Sequence, residues 1–167
     1  MAAEKVGGTA VCPGSYDPVT FGHLDIIGRA AQVFDHVIVG VVNLPVRKQK
    51  TIFDAGERVS FIEEEVAQHG NVEVKAFNTL LVDFARDNGA KTLVKGLRAI
   101  SDFEYEFEMN QLNRKLAPDI ESIYLMSAPQ FSFLSSGGVK EVAMFGGDVG
   151  GLVPDRVAAR LQEELQR

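Results

Sequence analysis

The apolar positions of this chain fall into short runs, separated by stretches with helical spacing. Runs of strand length cover about Thr9–Cys12, His36–Val42, Val72–Phe77, Thr92–Lys95 and Ser122–Met126. The second is nearly continuous in valine and isoleucine, the pattern of a parallel strand covered on both faces. Between the runs the apolar spacing changes to three and four. Leu24, Ile27, Ala31 and Phe34 form one stripe, and Val59, Ile62 and Val66 form another behind the capping pair Asp54 and Glu57. Leu81 to Asn88 predicts a short helix stopped by Gly89. Ser101 with Glu104 predicts a capped helix ending at Pro118, and Ser135 opens one that runs to Gly146-Gly147. Pro154 is expected at the first helical position of a last helix with Val157, Leu161 and Leu165 on one stripe. Strand and helix alternate throughout. The expected fold is therefore α/β, a single doubly wound domain over residues 1–167 with a five-stranded parallel sheet and right-handed crossovers. No repeat, low-complexity tract or linker interrupts it.

In such a sheet, ligands bind beyond the carboxyl ends of the strands. Each polar motif falls on such an end. Gly14-Ser15-Tyr16-Asp17-Pro18-Val19-Thr20-Phe21-Gly22-His23 joins the first strand to the first helix. The opening N–H groups of a helix have no partners of their own and face whatever anion precedes them. His23 lies on that first turn, Gly22 admits a ligand close to the backbone, and Ser15 and Thr20 add hydroxyls. The competing structural reading of His23 is a ring bonded to a turn carbonyl. Lys95-Gly96-Leu97-Arg98 ends the fourth strand with two cations, and Gly96 clears space for the chain. Phe131-Ser132-Phe133-Leu134-Ser135-Ser136-Gly137-Gly138 brings paired serines to a helix start, a third anion site. Lys140 then lies one turn inside, where a cation opposes the helix dipole unless an anion is close by. Arg47, Lys48 and Lys50 share one loop, and a solvated loop is the plain alternative for each basic cluster.

Charge and composition narrow the ligand. A net charge of −6 argues against a broad nucleic-acid surface, so the basic islands suit a small polyanion. No apolar window approaches the length of a membrane span, and Met-Ala-Ala-Glu-Lys lacks the layout of a secretion signal. The single cysteine, Cys12, sits in a predicted buried strand and reads as a small core residue. The expected location is the cytoplasm. No Gly-x-Gly-x-x-Gly follows the first strand and no P-loop sequence is present, which sets aside dinucleotide and P-loop chemistry. The three histidines are too far apart in sequence for zinc spacing, so no protein-held metal is expected.

Thr20-Phe21-Gly22-His23 resembles the Thr-x-Gly-His signature of nucleotidyltransferases. Further segments agree: Pro13 through His23, Phe53 with Glu57-Arg58, Lys95 to Arg98, Asp102-Phe103-Glu104-Tyr105-Glu106, and Phe131-Ser132-Phe133 through Lys140-Glu141-Val142-Ala143. Together they resemble the phosphopantetheine adenylyltransferase family of bacterial coenzyme A synthesis, over nearly the whole chain. The resemblance implies AMP transfer from ATP to 4′-phosphopantetheine, giving dephospho-coenzyme A and pyrophosphate by direct in-line displacement. It assigns Ser15 and Tyr16 to ATP, with Ser15 also near the acceptor phosphate, and His23 to the α-phosphate as transition-state stabiliser. Gly96, Leu97 and Arg98, with Glu106 and the run Phe131, Ser132, Phe133, Leu134, Ser135, Ser136 and Gly137, would hold adenosine and the outer phosphates. Lys95, Leu81 and the basic loop would hold phosphopantetheine, whose arm Asn113 and Glu141 would line. The chain departs from the family pattern in its basic loop, where either Arg47 or Lys48 fills a lysine's role. It departs again at Lys95, an arginine in some relatives, and at Gly137, which replaces a serine. The resemblance also implies a homohexamer; magnesium carried on the ATP phosphates is expected to neutralise the leaving group, and coenzyme A, which would share both pockets, is expected as a feedback inhibitor. The alternatives are another acceptor, such as nicotinate mononucleotide or a sugar phosphate, and a nucleotide-binding regulatory module without catalysis.

Overall fold

The computed structural model describes residues 5–43 and 51–165. Five parallel strands form one sheet in the order β3-β2-β1-β4-β5. They are β1 (Thr9–Gly14), β2 (His36–Val42), β3 (Val72–Phe77), β4 (Thr92–Leu97) and β5 (Glu121–Met126). The helices are α1 (Phe21–Val33), α2 (Ala55–Val66), α3 (Leu81–Asp87), α4 (Ile100–Leu116), α5 (Ser136–Met144) and α6 (Asp155–Leu165). The chain winds from β1 outward through β2 to β3, then returns to place β4 on the other side of β1. The strand order reverses between β1 and β4, which opens a crevice at their carboxyl ends.

Burial explains why β2 reads as an unbroken apolar run. Val37, Ile38, Val39 and Val41 are all essentially inaccessible, because helices cover both faces. One face packs α1, α2, α5 and α6 into a large core that includes Ile27, Phe53, Ile62, Val157 and Leu161. The other holds a smaller cluster in which Phe77 stacks on Phe84, with ring centroids 4.3 Å apart. A Cβ on Gly40 would sit 3.0 Å from the Phe84 ring and 3.1 Å from that of Phe77, so glycine is what lets the pair lie against β2.

Several boundaries differ from the sequence reading. β1 runs on to Gly14 because Pro13 and Gly14 stay in register with Gly40 and Val41. β4 runs on to Leu97, with Lys95, Gly96 and Leu97 opposite Tyr124, Leu125 and Met126. Ladder partners outweigh the polar and glycine residues that suggested a loop. α4 is capped at Ala99 with no side-chain cap; Ser101 lies inside its first turn, where Asp102 instead accepts the Arg98 N–H. Pro154 precedes α6, and its carbonyl accepts the Ala158 N–H. Asp54 caps α2 as expected, while the Glu57 carboxylate turns to Arg160 rather than back to the cap. Gly89, at φ +68°, follows α3 and allows the left-handed turn that ends it.

Candidate active site

A cleft of about 1180 Å³ opens at the carboxyl ends of β1 and β4. Its floor begins at Tyr16, whose φ of 49° turns the chain sharply after β1. The Tyr16 ring is buried, donates its hydroxyl to the Cys12 carbonyl at 2.9 Å, and meets the His23 ring edge-on at 5.1 Å. Gly14 gives the Tyr16 ring room, since a Cβ there would stand 3.0 Å from two of its carbons. Tyr16 is therefore a wedge beneath His23, with its hydroxyl committed to the backbone. Burial pushes the neighbouring Cys12 thiol up to about 12, which removes it as a nucleophile.

His23 is the third residue of α1, and Thr20 is its N-cap. The Thr20 N–H donates to His23 Nδ1 at 3.0 Å, Thr20 Oγ1 lies 3.1 Å from the same nitrogen, and the His23 N–H donates to Oγ1 at 3.4 Å. The ring is thus half of a capping box. Nδ1 accepts, so in the neutral ring the proton sits on Nε2. The turn carbonyl of the competing reading is replaced by a backbone donor. Burial, and secondarily the Arg98 charge, pulls the imidazole down to about 4. The ring is neutral at pH 7, and no protein atom among the described residues pairs with Nε2. One nitrogen secures the turn while the other faces the cleft.

The basic side chains come from the other half of the sheet. Lys95 Nζ pairs with Glu106 Oε2 at 2.7 Å, both largely buried, and the Glu106 carbonyl accepts the Tyr124 hydroxyl. Gly96 lines the cleft and clears space for α1, since a Cβ there would meet Ile26 at 3.0 Å. Leu97 is buried and does not line the cleft. Arg98 is held on three atoms by Asp102, through its backbone N–H, Nε and Nη2, and donates from Nη1 to the Leu134 carbonyl at 2.8 Å. Burial works against ionisation of Asp102, but the Arg98 hydrogen bonds prevail and hold its carboxyl below the usual range.

The third motif divides. Leu134, Ser135, Ser136 and Gly137 line the cleft at the start of α5. Ser135 Oγ accepts the Gly138 N–H at 3.0 Å, and Ser136 Oγ donates to the Pro18 carbonyl at 2.8 Å. Phe131 packs on the main core, Ser132 donates to the Pro129 carbonyl, and Phe133 is exposed away from the cleft. Ser15, Leu81 and Asn113 also line the cavity. The Asn113 Nδ2 is buried without a partner among the described residues. Glu141 is exposed on α5 and lies outside the lining. Arg47 and Lys48 lie outside the described residues.

Two buried charged groups support this site, Arg58 and Asp17, which stand in the motif segments without a role assigned to either. Arg58, 1% exposed, donates to four carbonyls: Ser15 at 2.6 Å, Val42 at 2.9 Å, Phe53 at 3.1 Å and Asp54 at 3.3 Å. It pins the ends of β1 and β2 to the start of α2. Its signal is in the sequence, because Arg58 stands on the same stripe as Phe61, Ile62 and Val66, where an apolar residue belongs. Asp17, 3% exposed, accepts the Ile52 and Phe53 N–H groups at 2.9 and 3.0 Å and faces Lys140 Nζ at 3.3 Å. That carboxylate is the anion Lys140 requires. Among the described residues no three Asp, Glu, His or Cys side chains converge as metal ligands. The cleft thus gathers one neutral N–H donor, the start of a helix and two cations, each paired with a carboxylate that an incoming anion would have to displace or share, around a single concave space.

Comparison with known proteins agrees. Residues 11–142 match a family model described as cytidylyltransferase-like. The chain is 54% identical over 158 residues to the phosphopantetheine adenylyltransferase of Rubrobacter xylanophilus, covering 95% of each. It is 53% identical over 148 residues to that of Clostridium tetani, covering 89% of this chain and 91% of the relative. Against that of Methylococcus capsulatus it is 50% identical over 158 residues, covering 94% and 96%.

Proposed function

The chain belongs to the phosphopantetheine adenylyltransferase family, within the cytidylyltransferase-like proteins, and on that premise we propose how it moves AMP from ATP to 4′-phosphopantetheine. An acceptor phosphate oxygen attacks the α-phosphorus, the bond from that phosphorus to the bridging oxygen breaks, and pyrophosphate leaves with the electron pair. A phosphate monoester is already a competent nucleophile near neutral pH, so no side chain has to remove a proton. The protein's task is to align two mutually repelling anions and to stabilise charge at the α-phosphorus.

The single observation that carries this reading is the His23 capping box. Its Nδ1 contacts leave an oriented, uncharged Nε2–H at the start of α1, where the Phe21 and His23 amides are already bonded to the Leu152 carbonyl and to Thr20 Oγ1. Arg98 and the start of α5 suit the outer phosphates, and Lys95 suits the acceptor phosphate, for which it exchanges Glu106. Leu81 and Asn113 suit the pantetheine arm, Asn113 with an unpartnered amide to offer. Either Arg47 or Lys48 adds a cation from the loop. Magnesium arriving with the nucleotide would supply neutralising charge to the leaving pyrophosphate.

The proposal extends to a cytoplasmic location, where ATP is at hand; among the described residues no helix is long and apolar enough to cross a membrane. It extends also to a homohexamer, supported by the exposed Phe103, Phe107, Leu112 and Leu116 of α4, and to coenzyme A as an inhibitor sharing both substrate pockets. Purified protein mixed with ATP, magnesium and phosphopantetheine should yield dephospho-coenzyme A by mass spectrometry. Pyrophosphate release only with nicotinate mononucleotide or a sugar phosphate would reassign the acceptor. No release with any acceptor would point to a regulatory module.

A further inference from the structure

Lys140 touches nothing in the cleft, yet it is tied to the turn that holds His23. It lies four residues after Ser136, so the two side chains share one face of α5. Both reach the same turn from more than a hundred residues away. Ser136 Oγ donates to the Pro18 carbonyl at 2.8 Å, and Lys140 Nζ pairs with Asp17 Oδ2 at 3.3 Å. The placement works against local preference, since a cation near a helix N-terminus opposes the dipole. It also works against solvation, since Asp17 is almost wholly buried. Such a pair has to be held by the surrounding fold. The fold supplies that by giving the same carboxylate the Ile52 and Phe53 N–H groups, which fix it from a third segment.

We propose that the Asp17–Lys140 pair is a positioning device that sets the distance between His23 and the N-terminus of α5, and so selects a nucleotide with outer phosphates. The inference rests on the functional reading above. His23 addresses the α-phosphate, while Ser135, Ser136 and Gly137 address the phosphates beyond it. If α5 drifts from the Asp17 turn, the α-phosphate contact survives and the outer contacts weaken. Lys140 is a positioning residue, because it acts through the turn and the helix and does not line the cavity.

The test compares calorimetric affinities for magnesium-ATP and for AMP in wild type, Lys140→Met and Lys140→Arg, with melting temperatures recorded for each. Lys140→Met should weaken ATP about tenfold, the equivalent of one charge-assisted contact, and leave AMP within twofold of wild type. Lys140→Arg should restore most of the ATP affinity. Should Lys140→Met fail to fold, Lys140→Gln, which keeps a donor but no charge, is measured instead with the same expectation. Equal loss for both nucleotides, or no loss for either, overturns the proposal. A wild-type protein that binds ATP but makes no dephospho-coenzyme A would refute the acceptor assignment and leave this ratio intact, so the two failures are distinguishable.

Discussion

Replacing His23 by asparagine separates its two jobs. The asparagine carbonyl oxygen takes up the place of Nδ1 and accepts the Thr20 N–H, so the cap is preserved and stability should fall by less than about 1 kcal/mol. The side chain is too short to put a donor where Nε2 stood. One preorganised N–H is lost from a site whose charge builds up only during the reaction, a cost of about 2.7–4 kcal/mol, or roughly 10²–10³-fold in kcat. The KM for ATP should change far less, since the contact strengthens as charge develops. Glutamine reverses the trade: it reaches the Nε2 position with an amide donor but lacks the ring's contact with Thr20. His23→Gln should therefore retain more turnover and lose more stability than His23→Asn. Initial rates of pyrophosphate release at saturating substrates, with urea midpoints for each variant, decide the matter. An asparagine variant turning over within tenfold of wild type would refute the argument.

The same ring makes stability depend on pH. Its folded value of about 4 lies below the ordinary 6.5, so the unfolded chain binds the proton more tightly. The neutral ring's stabilisation is complete above pH 6.5 and is lost as pH falls toward 4; relative to His23→Asn, wild type should lose about 3 kcal/mol across that window. A wild-type-minus-variant difference that stays constant with pH would contradict this. Arg58→Met removes the side-chain donor from four carbonyls, of which only that of Asp54 keeps the residue-58 backbone N–H, and should cost about 3–5 kcal/mol in urea denaturation; a loss below about 1 kcal/mol would contradict the stapling role. Lys95→Ala should raise the KM for phosphopantetheine well above its effect on ATP, and equal weakening of both would count against its assignment to the acceptor.

Much of this architecture is legible in the residue pattern. The valine and isoleucine run of β2 announces a sheet covered on both faces, and the polar motifs fall at the ends of β1 and β4, where the strand order reverses. What was not legible depends on partners distant in sequence. Gly96 reads as a clearance for the chain, but only the fold shows that Ile26 of α1 is what lies against it. Ser101 looks like a cap until Asp102 is seen turned back on Arg98. His23 could be located but its tautomer could not, because that follows from which atom of Thr20 faces the ring. Arg58 is a charge on the stripe of Phe61, Ile62 and Val66, a discord that the helical spacing alone does not explain. Its four acceptors come from three separate segments, and only the folded chain brings them together.

The account depends most on the α-phosphate lying against the free nitrogen of His23. A crystal structure with a non-hydrolysable ATP analogue and magnesium tests this directly. An α-phosphate oxygen should lie about 2.9 Å from Nε2, with the Thr20 N–H still on Nδ1 and the outer phosphates beside Ser135 and Ser136. A triphosphate bound elsewhere in the cleft, or a His23 ring turned away from Thr20, would contradict it.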